Sequence, residues 1–173
     1  MNNRLQKNNG FTLIEVMVVI SILGILAAFF GTSMVQRLPD YRFNNYMRQV
    51  HGALQNARLM AVKSNADVFV QFDKSNNSFR AFLDNTDDAA NRGFLDSGDT
   101  TIEAPKTPSG VVFTQLFGTG DPLVVSVFNS RGFSDRAGEV RMKNGSNSYK
   151  GVNLTLGGSS RIIKSGDGGS TWQ

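Results

Sequence analysis

The chain of 173 residues has no cysteine and a single histidine, His51. The absence of cysteine excludes disulfide frameworks, thiol nucleophiles and cysteine-ligated metal centres. A single histidine excludes most histidine-based catalytic sites. The glycine-rich stretches at residues 118–121 and 166–169 lack the Lys-Ser/Thr of a phosphate-binding loop. We therefore expect no catalytic residues, no cofactor and no enzymatic activity.

Basic charge is unevenly distributed along the chain. Residues 65–128 carry 4 basic and 9 acidic side chains, whereas residues 129–173 carry 7 basic and 3 acidic ones. Arg161 and Lys164, near the C-terminal end, are candidate DNA contacts. The alternation of a short strand would point them to opposite faces, unlike a continuous basic stripe. Solvated strand edges are the competing interpretation of these cations.

Polar residues are nearly absent from residues 11–30, where the only polar members are Thr12, Glu15 and Ser21. A helix of twenty residues is about 30 Å long, which matches the hydrocarbon core of a bilayer. Arg4 and Lys7 precede it, so the positive-inside rule keeps residues 1–10 in the cytoplasm. The sequence therefore predicts a single-pass anchor with the rest of the chain across the membrane.

A cleaved secretory signal peptide is the alternative interpretation of this apolar run. Ala27, Ala28 and Gly31 provide small residues for a cleavage site. Glu15 argues against it, because a carboxylate inside an apolar segment is costly and usually functional. The alternative to a functional role is that the Glu15 side chain reaches the membrane interface or is protonated.

The residues from Gly10 to Ile20, GFTLIEVMVVI, resemble the prepilin cleavage and methylation motif of type IV pilins and type II secretion pseudopilins. The resemblance implies that a prepilin peptidase removes residues 1–10 after Gly10. It also implies methylation of the new amino terminus on Phe11 and retention of residues 11–31 as a transmembrane and filament-core helix. Glu15 would then pair with the Phe11 amine of a neighbouring subunit. Thr32 stands where many major pilins have proline.

The pattern after the apolar run predicts a second, amphipathic helical half over residues 32–64. Its apolar residues recur every three or four positions: Phe43, Met47, Val50, Leu54, Ala57 and Ala61. Pro39 disfavours helix at the preceding residue, so we expect a kink or short break there. His51 on this half is expected to be an ordinary surface or interface residue.

Residues 65–173 hold 14 of the 18 glycines and read as short strands between turns. Seven strands are expected: 68–72, 79–83, 111–117, 123–128, 138–143, 152–156 and 161–164. The first two form a predicted hairpin, and Asn144-Gly145 is a turn signal. We expect a pilin-like α+β fold, in which an antiparallel sheet packs on the amphipathic stripe of the helix.

The loop from Asp84 to about Thr101 is rich in carboxylates. Asp84, Asp87 and Asp88 are weak candidates for a calcium site, because carboxylate oxygens are hard ligands. Their spacing is not that of an EF-hand, so a solvated loop is the favoured interpretation.

Residues 54–65, LQNARLMAVKSN, are similar to the end of the helix in the GspH/FimT branch of minor pseudopilins and minor pilins. The resemblance implies a minor subunit of a periplasmic filament in type II secretion, held in the bacterial inner membrane with its body in the periplasm. Its partners would be other pilin-like subunits and the prepilin peptidase. A minor pilin of a type IV pilus that assists DNA uptake is one alternative, and a membrane-tethered binding module outside any filament is another.

Overall fold

The computed structural model of the chain describes residues 11–85 and 93–173, and of residues 29–36 the backbone only. One long helix, α1 (Leu13–Ser64), precedes all the strands. The described strands are β1 (Val68–Asp73), β2 (Ser78–Leu83), β3 (Thr100–Glu103), β4 (Val112–Leu116), β5 (Leu123–Phe128), β6 (Gly138–Lys143), β7 (Tyr149–Leu154) and β8 (Ser160–Ser165). Their pairings are all antiparallel, which confirms the α+β class.

The chain divides into two compact units, Met1–Leu38 and Pro39–Gln173. Helix α1 nevertheless continues through Pro39, so a short break there is wrong, while the alternative of a kink stays a prediction. A proline removes one backbone hydrogen bond, and burial of the next turns, beginning at Phe43, offsets that loss. In the part of the chain that the structure describes, no helix meets the length and apolarity needed to cross a membrane.

The first sheet, called sheet A, has the strand order β3-β2-β1-β5. The predicted hairpin is confirmed, because β1 pairs with β2 in a register that joins Val68 to Leu83. Its turn is stabilised by the Asp73 carboxylate, whose Oδ1 accepts a hydrogen bond from the Asn76 amide at 3.0 Å. Strand β3 was not among the predicted strands, because its sequence, TTIE, is short and mostly polar.

The second sheet, called sheet B, has the order β4-β6-β7-β8. The expected turn at Asn144 joins β6 to β7, and the Asn144 amide donates to the Ser148 carbonyl at 3.1 Å. Two sheets replace the single sheet that the sequence predicted. The chain leaves sheet B after β4 through Phe117 and Gly118, both with positive φ, and enters sheet A at β5. A positive φ is unusual for a bulky residue such as Phe117, so the sequence did not predict this crossing from one sheet to the other.

The core lies where α1 meets the two sheets. The predicted stripe of apolar residues on the body half of α1 is fully buried, with Phe43, Val50, Ala57 and Ala61 at 0% exposure. The sheets are joined by aromatic contacts: the ring centroid of Phe72 in β1 lies 6.4 Å from that of Phe113 in β4. The residues of this body therefore form one continuous core between helix and sheets.

Candidate assembly site

The start of α1 is built around Thr12 and Glu15. The Glu15 amide donates to the Thr12 carbonyl at 3.1 Å and to Thr12 Oγ1 at 3.3 Å, so Thr12 caps the helix. A carboxylate in the first turn also interacts favourably with the positive end of the helix dipole. Sequence reasoning missed this cap, although Thr-x-x-Glu before an apolar run is a known helix-start signal. Glu15 therefore has a local stabilising role besides any role in assembly.

The surface of residues 11–28 is apolar and exposed on every side. The exposed fraction of its large side chains ranges from 46% at Leu26 to 83% at Phe11. The hydroxyl of Ser21 is satisfied within the helix, because it donates to the Met17 carbonyl at 2.7 Å. An all-round apolar helix is stable only when another apolar phase or helix covers it.

The Glu15 side chain is exposed on this surface. Among residues 11–85 and 93–173, no hydrogen bond or ion pair to its carboxylate is found. Phe11 is just before the helix and is also exposed. Gly10, the predicted cleavage residue, lies outside the described residues. Glu15 thus presents an exposed carboxylate on an otherwise apolar helix surface.

Polar contacts fix the body half of α1 to both sheets. On the side of sheet A, Asn56 Nδ2 donates to Glu103 Oε1 at 3.1 Å. On the side of sheet B, Ser160 Oγ contacts both His51 Nδ1 and Gln55 Nε2 at 3.0 Å. His51 has no carboxylate among its described hydrogen-bond partners, so it is an interface residue in the fold. These bonds hold the helix in one orientation on the body.

The two candidate DNA contacts lie on β8, the edge strand of sheet B. The register joins Arg161 to Asn153 and Lys164 to Lys150, so the two cations point to opposite faces of the sheet. Both are exposed. The structure therefore does not bring these two side chains together.

Lys164 instead faces Lys150 across the strands. Burial lowers the pKa of Lys150, and the positive charges of Lys164 and Arg48 lower it further, while Asp40 opposes them. The Lys150 ammonium also donates to Asn44 Oδ1 and lies 5.5 Å from the ring centroid of Phe43. This cluster of Arg48, Lys150 and Lys164 joins a helix to two strands, so no sequence signal could have revealed it.

The described carboxylates of the acidic loop bind backbone amides. Asp84 Oδ2 accepts from the Gly93 amide at 3.2 Å, and Asp99 accepts from the amides of Asn85 and Asp96 at 3.1 and 2.9 Å. Within the described part of the chain, no three potential ligands lie close enough to hold a metal ion. Asp87 and Asp88 lie outside the described residues. The favoured interpretation, a solvated loop with Asp84, Asp87 and Asp88 as weak calcium candidates, therefore stays a prediction.

The C-terminal tail, residues 166–173, packs back onto sheet B. The Trp172 ring lies 4.7 Å from the Arg141 guanidinium, and Trp172 Nε1 donates to the Gly169 carbonyl at 3.0 Å. Asp167 holds the tail turn: hydrogen bonds from the side chains of Ser165 and Thr171, and from nearby amides, lower the pKa of its carboxyl far below the ordinary value. Gln173 exchanges two backbone hydrogen bonds of 2.9 Å with Lys164. The tail is therefore a packed part of the body.

Comparison with known families agrees with this geometry. A family model for the prokaryotic N-terminal methylation motif matches residues 5–31, which include the Thr12 cap and Glu15. A second model, for the type II transport protein GspH, matches residues 47–159, from the buried helix to the turn before β8. No curated protein and no solved structure matches the chain.

The first match defines the class of protein, a pilin-like chain with a prepilin-type N-terminus. The second covers about two thirds of the residues, and the chain belongs to the GspH family of type II transport proteins. These families contain structural pilin and pseudopilin subunits, so the prediction that the chain is not an enzyme is confirmed. The motif implies processing by a prepilin peptidase and a membrane-anchored subunit that assembles with other pilin-like subunits.

Proposed function

We propose that the chain is a minor pseudopilin that enters a periplasmic filament of a type II secretion machine through its N-terminal helix. It is cleaved after Gly10 and methylated on Phe11. It resides in the bacterial inner membrane until assembly, with Pro39–Gln173 in the periplasm. The single observation that carries the proposal is an apolar helix, residues 11–28, exposed all round and bearing one carboxylate, Glu15, without a described partner.

The apolar surface supports two successive environments. Burying it in lipid removes many large side chains from water, and each contributes about 1.5 to 3 kcal/mol when fully covered. Packing against the helices of neighbouring subunits covers the same surface in a filament. The insertion of residues 11–31 in the membrane rests on their apolar sequence and on the family motif.

The Glu15 carboxylate would fix the axial position of neighbouring helices relative to one another in that packing. A carboxylate in an apolar surrounding is costly unless a cation or hydrogen-bond donor meets it. The methylated amine of Phe11 on a neighbouring subunit would supply such a cation. Because the amine precedes the helix and the carboxylate lies in its first turn, each subunit would offer one cation and one carboxylate to its neighbours.

The test replaces Glu15 by Val in the full-length chain, expressed together with the other subunits of the machine. We expect cleavage after Gly10 and membrane insertion to continue, while recovery of the chain in sheared filaments falls at least tenfold. Ser21→Val is the matched control, since it also replaces a polar side chain of this helix and its hydroxyl is bonded within the helix. Normal filament recovery of Glu15→Val would contradict the register role.

A minor pilin of a type IV pilus that assists DNA uptake is the second candidate. The cluster of Arg48, Lys150 and Lys164 favours it, because closely spaced cations bind phosphates. Titration of the purified chain with double-stranded DNA at two salt concentrations tests it. Micromolar binding that weakens with salt supports this function, and absence of such binding rejects it. Arg161, on the opposite face, serves as the control position, since Arg161→Gln should change the affinity less than Lys164→Gln.

A membrane-tethered module that never enters a filament is the remaining alternative. It predicts that Glu15→Val has no effect on any filament and that the wild-type chain is absent from sheared filaments. Recovery of the wild-type chain in filaments rejects it.

A further inference from the structure

The end of the body where α1 finishes carries a cluster of exposed large apolar side chains. Leu59 and Val62 are 67% and 51% exposed, and Phe133 and Leu156 are 52% and 57% exposed. Apart from these four, the exposed large hydrophobic residues in the described part of Pro39–Gln173 are Tyr41 and Phe94. Exposed apolar residues are ordinary when scattered, but a contiguous group indicates an interaction surface.

Close contacts join the three segments that carry this group: the end of α1, the loop before Phe133 and the turn that holds Leu156. A Cβ placed on Gly132 would lie 3.2 Å from Val62 Cγ2 and 3.1 Å from Arg58 Nε, so the loop before Phe133 touches the last turns of α1. Arg58 Nε donates to the Gly132 carbonyl at 3.0 Å and fixes this contact. We call Leu59, Val62, Phe133 and Leu156 the end patch.

Leu156 joins the same surface through the turn between β7 and β8. The Ser134 amide donates to the Leu156 carbonyl at 3.0 Å. In the same turn, a Cβ on Gly158 would lie only 2.0 Å from the Gly132 carbonyl oxygen. Helix end, loop and turn are thus locked to one another. The fold holds the apolar side chains of the end patch outward on a rigid base.

The border of the end patch is basic. Arg58 precedes Leu59 in the chain, Lys63 follows Val62, and Arg131 precedes the Gly132 contact; Lys63 and Arg131 are exposed. Two carboxylates lie close along the chain: Asp67, which already has an interaction within the fold, and Asp135, which accepts a hydrogen bond from the Val127 amide and lies 3.9 Å from Arg136 Nε. The border therefore carries an excess of positive charge, and a partner that covers the patch gains most when it brings carboxylates.

We propose that the end patch docks a neighbouring pilin-like subunit through a surface where large apolar side chains are flanked by carboxylates. The inference rests on the proposed filament function and names the part of the body that contacts the neighbour. The apolar side chains supply most of the affinity, because large buried side chains dominate protein interfaces. The cations Arg58, Lys63 and Arg131 select an acidic partner and orient it.

Site-specific photocrosslinking in the full chain, expressed with the complete machine, tests the proposal. A photoreactive phenylalanine replaces Phe133, and the control chain carries it at Phe94, which is similarly exposed at 48% but lies outside the patch. We expect the Phe133 position, and not the Phe94 position, to yield an adduct that mass spectrometry identifies as a chain with the N-terminal methylation motif. An adduct with lipid, an adduct with a protein of another class, or no adduct would overturn the proposal.

Substitution measures how much the patch contributes. The double variant Phe133→Ser, Leu156→Ser changes exposed side chains, so its thermal unfolding should match that of the wild type. Its recovery in sheared filaments should fall about tenfold, which corresponds to the loss of one or two interface anchors. Phe94→Ser is the matched control and should leave recovery unchanged. A double variant that assembles at the wild-type level contradicts the proposal.

Two further readouts separate this contact from the filament function itself. Glu15→Val should lower filament recovery at least tenfold while the body stays intact, and the double variant should lower it about tenfold without affecting membrane insertion or leader cleavage. Glu15→Val chains should also lose the Phe133 adduct, because docking follows entry into the filament. A persistent adduct in Glu15→Val would show that the patch binds its partner outside a filament, and would overturn this form of the proposal.

Discussion

The two halves of α1 are both rich in apolar residues but differ in what covers them. In residues 11–28 the large side chains are at least 46% exposed. In the body half, Phe43, Met47, Val50 and Leu54 are between 0% and 2% exposed. The first half is apolar on every side, whereas the second confines its apolar residues to a stripe that faces two sheets.

One continuous helix therefore has two separate sources of stability. The body half gains its stability within the chain, through burial against the sheets and through hydrogen bonds such as that of Asn56 with Glu103. The first half is exposed in the described structure, and in our proposal lipid or other subunits cover it. Substitutions in the two halves should therefore change different quantities, folding in one and assembly or membrane retention in the other.

Truncation of a leucine should give the largest contrast between the halves. Leu54→Ala removes a side chain that is 2% exposed, and we expect a loss of about 3 kcal/mol in the free energy of unfolding. Leu23→Ala, at 58% exposure, should leave that quantity unchanged. Urea unfolding in nonionic detergent, followed by the fluorescence of Trp172, measures both. Equal losses would show that the body does not fold independently of the first half.

Glycine substitution should give the next contrast. A Cβ on Gly158 would lie 2.0 Å from the Gly132 carbonyl oxygen, and Gly158 has a φ of +75°, so Gly158→Ala should destabilise the body by about 2 kcal/mol. At Gly24, such a Cβ would meet no atom within 4 Å beyond its chain neighbours and the adjacent turns of helix backbone. Gly24→Ala should therefore favour helix by up to about 1 kcal/mol without changing the unfolding of the body. Helix content by circular dichroism and urea unfolding test the pair.

A hydroxyl deletion should have a smaller effect. Tyr46 is 1% exposed, and its hydroxyl lies 2.8 Å from Thr107 Oγ1, which in turn donates to the Asn77 carbonyl at 2.5 Å. Tyr46→Phe should lower the free energy of unfolding by about 1 kcal/mol, because it leaves the Thr107 hydroxyl with one partner fewer. Ser21→Ala, in the first half, should not change it. A Tyr46→Phe chain as stable as the wild type would show that the bond contributes nothing net.

Acid should produce the smallest effect, confined to the C-terminal tail. Hydrogen bonds from Ser165 and Thr171 hold the pKa of Asp167 below its ordinary value, so the carboxylate form stabilises the tail turn. This contribution is fully present above the ordinary aspartate pKa of about 4 and is lost progressively as the pH falls from there through the lower pKa of the folded turn. The fluorescence of Trp172 should therefore change below about pH 4 while far-ultraviolet circular dichroism stays constant. In Asp167→Asn, which cannot ionise, the fluorescence should no longer depend on pH in this range.

Much of the fold was predictable from local patterns. The helical stripe from Phe43 to Ala61, the hairpin around Asp73 and the turn at Asn144 each depend on a few neighbouring residues, and each is confirmed. Strand β3 was missed, because a polar edge strand has no apolar alternation to reveal it. The continuity of α1 through Pro39 was also missed, since the local penalty of proline is offset by packing along the rest of the helix.

For the candidate sites too, contiguous motifs were predictable from the sequence, whereas contacts between distant residues were not. Gly10, Phe11 and Glu15 form a contiguous motif, so their predicted roles depend on sequence, and they await the assembly experiments. Arg161 and Lys164 are close in sequence, yet the pleat separates them and places Lys164 beside Lys150. The acidic loop was read from composition, and its described carboxylates bind amides of the same loop.

Local sequence patterns alone define the class of this protein: a prepilin-type N-terminus, an apolar helix with one carboxylate and a strand-rich body. These features are contiguous or periodic in the sequence, so they can be recognised without knowledge of distant contacts. The tertiary structure alone decided the division into two sheets, the cluster of Arg48, Lys150 and Lys164, and the end patch of Leu59, Val62, Phe133 and Leu156. Each of these joins segments far apart in the chain, and only the packing of α1 on both sheets brings them together.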